Sequence, residues 1–289
     1  MTPTLQGHAA MLLFAALISV SFSLGGRAAP FIDPAALTAG RFALAAAIIG
    51  ALAAPKFRRE HLVKLWRFPI LGGLLGAYFI LMFEALRLTD PVSTGAVFTL
   101  TPIMSAGFGW LLMRQITTRR AGLSLILAGV GAVWVIFRAD IDAILGLDLG
   151  PGEAIFFVGC AMHALYAPLG RMFHRGEPML VYTFFGLCGG LLVTGLYGAQ
   201  TLVATNWAAL PPVVWAALAY LAIFATAITF FLVQFATLRL PSGKVMAYGY
   251  LVPSFVILWE GLFASAWVAA PVWFGVGATV AALLLLLKD

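Results

Sequence analysis

The sequence predicts an all-α polytopic membrane protein: ten transmembrane helices arranged as two inverted five-helix repeats. Three observations carry that expectation. Hydrophobic residues fill 63% of the 289 positions and charged residues only 10%, with a mean hydropathy of +1.03, whereas a soluble domain carries about 25% charged residues. The apolar residues fall into runs near the ~20 residues that a helix needs to cross the hydrocarbon core. The two halves also repeat one another, and self-similarity of this kind marks a duplicated unit.

The repeat is read on either side of the segment from Arg138 to Gly152, the most acidic break in an otherwise apolar chain. Before it stand Leu-Gly-Gly-Arg27 and then Pro34; after it stand Pro-Leu-Gly-Arg171 and then Pro178, at the same Arg-to-Pro spacing. Further on, Leu100-Thr101-Pro102 matches Leu251-Val252-Pro253, each preceded by an Ala-Leu-Arg87 or Thr-Leu-Arg239 turn. The chain therefore divides into a first unit at 1–137, a connecting outer loop at 138–151 and a second unit at 152–289.

Taken in order, the expected spans are 8–26, 34–54, 67–87, 91–113, 119–137, 152–171, 178–198, 211–236, 242–264 and 269–287. Turn chemistry separates them. Asp33-Pro34 opens the second span and Asp90-Pro91 the fourth; Gly150-Pro151-Gly152, Glu177-Pro178, Pro211-Pro212, Pro241-Ser242-Gly243 and Pro271 punctuate the second half. The connections are too short to hold a separate domain.

Orientation follows from the basic residues in alternate loops. With a cytoplasmic N-terminus, the inner set runs from Lys56, Arg58 and Arg59 through Arg119 and Arg120 to Lys244 and Lys288, while the outer loops hold Arg27, Arg87 and Arg138. Both termini then lie in the cytoplasm. Five is an odd number, so the second unit enters the membrane upside down relative to the first. Inverted repeats of this kind are a construction of secondary transporters, with a site near the mid-membrane and access that alternates between sides. A non-transporting membrane scaffold grown by duplication is the other reading of the same pattern.

Other classes find little support. The chain has no Walker loop, no paired metal ligands and no Gly-x-Ser-x-Gly elbow, so neither an enzyme nor a bound cofactor or metal is expected. The net charge of +6 comes from residues scattered through short loops, which argues for topology and against nucleic acid. Cys160 and Cys188 lie inside apolar runs and read as small buried hydrophobes. The expected partners are a small-molecule substrate and the lipid bilayer, with no obligatory protein partner evident.

Residues that a lipid-facing helix would not need are the candidates for a cavity. His163 and Tyr166 share one face of the sixth span, and a mid-span histidine usually faces a bundle interior or a wet cavity. Tyr78 and Met82 share a face of the third span, Gln234 lies in the eighth and Tyr248 in the ninth. Pro102 and Pro253 occupy repeat-related positions and can kink their helices or gate a pocket. Glu260 lacks a basic neighbour in sequence and, with His163, is a candidate proton carrier. Glu84 is expected to pair with Arg87. Arg41 is expected to snorkel or to pair with an acid on another helix.

These short motifs, with Arg41-Phe42 and Ala85-Leu86, resemble the drug/metabolite transporter superfamily in its ten-helix EamA-type branch. The resemblance covers nearly the whole chain. It departs where family members often carry Gly-Glu after the fourth- and ninth-span prolines, since this chain has Met113-Arg114 and Ala264-Ser265. Within the superfamily, the chain looks most similar to bacterial exporters of aromatic amino acids. That implies a bacterial inner-membrane protein exporting aromatic amino acids and related metabolites through a central cavity lined by spans 1, 3, 4, 6, 8 and 9. Broad efflux of amphipathic metabolites or drugs is the alternative within transport.

Overall fold

The computed structural model describes residues 2–114, 118–146, 149–237, 239, 240, 245 and 247–287, without the side chains of Gln234, Thr237 and Leu286. The candidate Gln234 side chain therefore lies outside the described residues. Every regular element among the described residues is helical.

The principal helices are α1 (Pro3–Ala28), α2 (Pro34–Ala53), α3 (Arg67–Ala85), α4 (Pro91–Phe98 continued by Thr101–Met113), α5 (Arg119–Ile136), α6 (Pro151–Phe173) and α7 (Met179–Tyr197). They continue as α8 (Pro212–Ala222, a π-helical stretch Ile223–Ile228, then Thr229–Thr237), α9 (a 3-10 turn Tyr248–Leu251 leading into Val252–Ala264) and α10 (Val272–Leu287). The first eight are long and apolar enough to cross a membrane, and the last two are shorter apolar helices.

The starts of these helices follow from their sequences. Proline stands in the first turn of α1, α2, α4, α6 and α8, where its missing N–H breaks no intrahelical bond. The Asp33 carboxylate accepts from the backbone N–H groups of Ala35 and Ala36, and Asp90 does the same for Val92 and Ser93. Each aspartate satisfies donors that would otherwise be orphaned.

The interruptions within helices also have local causes. Pro102 has no N–H to offer the carbonyl of Phe98, and α4 gives way just ahead of it: Thr99 and Leu100 donate instead to Ala96 and Val97 in tighter turns. Pro253 stands at the same point of α9, and the turn before it is 3-10. Both helices end on a left-handed residue, Arg114 with φ 56° and Ser265 with φ 54°.

Packing joins the halves rather than separating them. α3 lies against α6 and α7, α2 against α7 and α8, α1 against α8 and α9, α4 against α6 and α9, and α5 against α10. Exchanging the halves, helix for helix, maps this set onto itself. The largest core cluster accordingly mixes residues of both halves, from Phe22 and Phe42 to Phe156 and Val256.

Small residues set how closely these helices approach. A Cβ added at Gly72 of α3 would fall on the backbone of Gly186, Gly189 and Gly190 of α7, and one at Gly131 of α5 would stand 2.7 Å from the carbonyl oxygen of Gly275 in α10. Such contacts gain dispersion where no hydrophobic expulsion drives association. Gly72→Val is expected to destabilise the protein by more than about 2 kcal/mol, seen as a lower melting temperature in detergent. Gly195→Ala, with open space where its Cβ would stand, should stay within about 0.5 kcal/mol of the parent.

Candidate functional site

Four helices build an aromatic interior. Tyr78 of α3 stands with its ring 4.7 Å from that of His163 in α6, and 5.7 Å from Phe156 of the same helix. Phe98, at the end of the first segment of α4, lies 5.6 Å from His163; Phe22 of α1 lies 5.9 Å from both Phe98 and Phe156. Tilted and edge-to-face geometries of this kind suit the charge distribution of aromatic rings. Met82, one turn beyond Tyr78, is buried in the same cluster. Besides the Tyr78 hydroxyl, His163 brings polarity to this wall, and its Nδ1 is buried with no hydrogen-bond partner among the described residues.

Of the residues singled out in the sequence, Tyr78, Met82 and His163 thus come together. Tyr166 packs partly against this cluster and partly against Phe68 and Tyr182. Tyr248 belongs elsewhere, in a second cluster with Met11, Tyr250 and Leu283, where its hydroxyl lies 2.8 Å from His8 Nδ1. It lies in the 3-10 turn that opens α9. Trp259 reaches α1 instead, donating from Nε1 to Ser19 Oγ at 2.7 Å. Pro253 meets α4 beside Gly95.

Arg41 differs from its expectation. It does not snorkel and meets no acid among the described residues: the residue is 1% exposed, Nε donates to Thr226 Oγ1 and Nη2 to the Ala225 carbonyl, both at 2.9 Å. Its guanidinium carbon lies 3.6 Å from the centroid of the Phe79 ring. A basic residue in the middle of an apolar run was the only signal, and nothing local to it named α8 as the partner.

Charge collects at the two ends of the helices. At one end, Glu84 pairs with Arg87 at 3.2 Å, as the sequence suggested, and Arg138 pairs with Asp90 at 2.6 Å. Glu260 stands 3.8 Å from Arg27, a neighbour invisible in sequence because it ends α1. Asp90, Arg138 and Glu260 border a cavity of about 390 Å³, with Trp267 and Val272 on its wall. Burial pushes the Asp90 carboxyl up, but the Ser93 N–H and the Arg138 guanidinium outweigh it and hold it below the usual carboxylate range.

At the opposite end Arg67, buried at the start of α3, donates to the Phe173 carbonyl and to the Glu177 carboxylate, tying α3 to the turn between α6 and α7. Burial raises the Glu177 carboxyl too, yet Arg67 and the Arg175 N–H bring it below its ordinary value. Among the described residues, no three His, Cys, Asp or Glu side chains gather as a metal site would require.

Interlocked apolar helices with polar and aromatic side chains held between them describe a multi-pass membrane protein. Comparison with known proteins gives this class its family. The chain belongs to the EamA-like transporter family, which matches it twice, over residues 5–137 and 150–288. It is 26% identical over 250 residues to the uncharacterized transporter YyaM of Bacillus subtilis strain 168, covering 84% of this chain and 81% of that protein. A crystal structure shares the fold with a TM-score of 0.70 over 98% of this chain and 95% of the other, at 20% identity.

The Arg67–Glu177 pair makes a pH-dependent contribution. Because the folded carboxyl is held below its unfolded value near 4.5, its stabilisation is present above that value and is lost as pH falls through the folded one. The melting temperature should drop on going from about pH 6 to about pH 3. Glu177→Gln should destabilise the protein by roughly 1–3 kcal/mol at neutral pH and flatten part of that pH dependence.

Proposed function

We propose that the chain is a secondary transporter of the bacterial inner membrane, with both termini cytoplasmic, exporting aromatic amino acids and related small metabolites by alternating access. The observation that carries the reading is the aromatic wall of Tyr78, Phe98, Phe156 and His163, drawn from both halves of the chain and furnished with a ring nitrogen that has no partner among the described residues. Such a wall complements a planar ring, and His163 offers a polar contact to the rest of the solute. The resemblance of the sequence to bacterial exporters of aromatic amino acids is in keeping with that reading.

The packing is compatible with the mechanism proposed. Two five-helix units, inverted with respect to each other over 1–137 and 152–289, would exchange conformations around the shared interior. The contact set that survives exchange of the halves supports this. In this reading Tyr78, Met82, His163 and Tyr166 line the cavity, with Gln234 and Tyr248 as further candidates. Pro102 and Pro253 mark paired weak points in α4 and α9, where helix ends can swing. The Arg138 end faces outward under the basic-residue rule. Glu260 and His163 are the groups through which a proton gradient would act.

The test is flux into liposomes carrying the purified protein, using labelled phenylalanine, lysine and a lipophilic cation, with and without a pH gradient. Phenylalanine flux above the leak, competed by tryptophan and not by lysine, is the expected result. Tyr78→Ala or His163→Ala should lower that flux at least tenfold, on the scale of an aromatic contact and a buried polar group lost together. Movement of the cation without phenylalanine would replace this reading with broad efflux, and no movement in folded protein would leave a scaffold.

A further inference from the structure

Arg41 is a buried cation with no countercharge among the described residues. Two of its three nitrogens are used: Nε meets the Thr226 hydroxyl and Nη2 the Ala225 carbonyl. The third, Nη1, is buried and has no hydrogen-bond partner among the described residues. No carboxylate pairs with it among the described residues. Asp33 caps α2, Glu84 faces Arg87, Glu177 faces Arg67 and Glu260 faces Arg27. Buried charges in a membrane protein are ordinarily paired or placed on a solute pathway, because an unpaired one is costly. Neutral acceptors and the Phe79 face lessen that cost without removing it.

Its position relates it to the aromatic interior. The Phe79 ring lies 4.7 Å from that of Tyr78, and Tyr78 lies 4.7 Å from His163. A cation is thus set beside an apolar, ring-lined wall. An anionic group joined to a hydrophobic side chain has that same arrangement of charge and ring.

The helix opposite Arg41 is irregular where they meet. Ala225 and Thr226 lie within the π-helical stretch Ile223–Ile228, and the Thr226 hydroxyl also donates to the Leu221 carbonyl. π-Bulges concentrate at functional sites. A change in this turn would move both acceptors away from Arg41 together. In the present conformation the guanidinium is closed over, being 1% exposed, so a ligand reaches it only when α2 and α8 part.

We propose that Arg41 binds the carboxylate of the transported solute, which restricts the substrates to carboxylate-bearing compounds. The proposal rests on the transport reading above and adds the group that recognises the polar end. Arg41 presents a planar fork whose geometry matches a carboxylate, and Nη1 is the donor waiting for it. The α8 acceptors hold the fork in place until a ligand takes over.

The test uses the full chain in nanodiscs and matched ligands that differ in the carboxylate: phenylalanine against phenylalaninamide, and leucine against leucinamide. The wild-type protein is expected to bind each acid at least tenfold more tightly than its amide. Arg41→Gln should abolish that preference and weaken acid binding about tenfold to a hundredfold, while Arg41→Lys should keep the preference. Wild-type protein without a preference overturns the proposal, and so does Arg41→Gln protein that retains one. Should Arg41→Gln fail to fold, the wild-type pairs and Arg41→Lys still decide. Phenylalanine and its amide binding alike would sink the role of Arg41 and leave the aromatic reading standing. Leucine preferred over leucinamide, with no gain for an aromatic ring, would sink the aromatic reading and leave Arg41. Folded protein that binds none of the four overturns both.

Discussion

In hydrocarbon there is no water to satisfy a backbone N–H or C=O, so a spanning segment must close its hydrogen bonds internally or against its neighbours. The breaks within α4, α8 and α9 can be read against that constraint. The break before Pro102 is mended by tighter 3-10 bonds to Ala96 and Val97. In the π stretch of α8, Arg41 supplies a donor to the Ala225 carbonyl from another helix. Each irregularity turns one side to neighbouring helices: Thr99 and Tyr250 are fully buried, and Ala225 and Thr226 nearly so, while Ile223 and Phe224 of the π stretch are exposed.

Close helix contact provides the neighbours. Gly72 meets Gly186, Gly189 and Gly190, and Gly131 meets Gly275, each contact joining a helix of the first half to one of the second. Ridges of larger residues would hold these axes apart and leave the interior wider than the aromatic side chains can fill. The glycines therefore govern the dimensions of the aromatic wall although none of them lines it.

The architecture was legible because it rests on composition and period. Ten apolar runs, prolines at helix starts and basic loops all announce themselves locally. The wall was legible in part: Tyr78, Met82 and His163 stood out as polar or aromatic residues in spans that lipid alone would fill with aliphatics. Phe22, Phe98 and Phe156 did not, because phenylalanine in an apolar run looks the same whether it faces lipid or a neighbouring ring. Tyr248 lies in the 3-10 turn that opens α9 and packs with Met11 and Tyr250, neighbours that no helical spacing in the sequence names. Arg41 and Glu260 show the limit most plainly. Their partners lie on helices distant in sequence, and no local pattern specifies which pairs meet.

The interlocked halves bear on how the protein comes to exist. A ribosome delivers the first five helices before the second five, yet α2 and α3 find their main partners in α7 and α6. The Thr226 hydroxyl that holds Arg41 is 185 residues downstream of it. During synthesis the first half therefore waits in the bilayer with its glycine faces against lipid and a charge without its acceptors. Insertion and folding are separate events for this chain, and the waiting intermediate is the form most exposed to quality-control proteases or to pairing with the wrong helices.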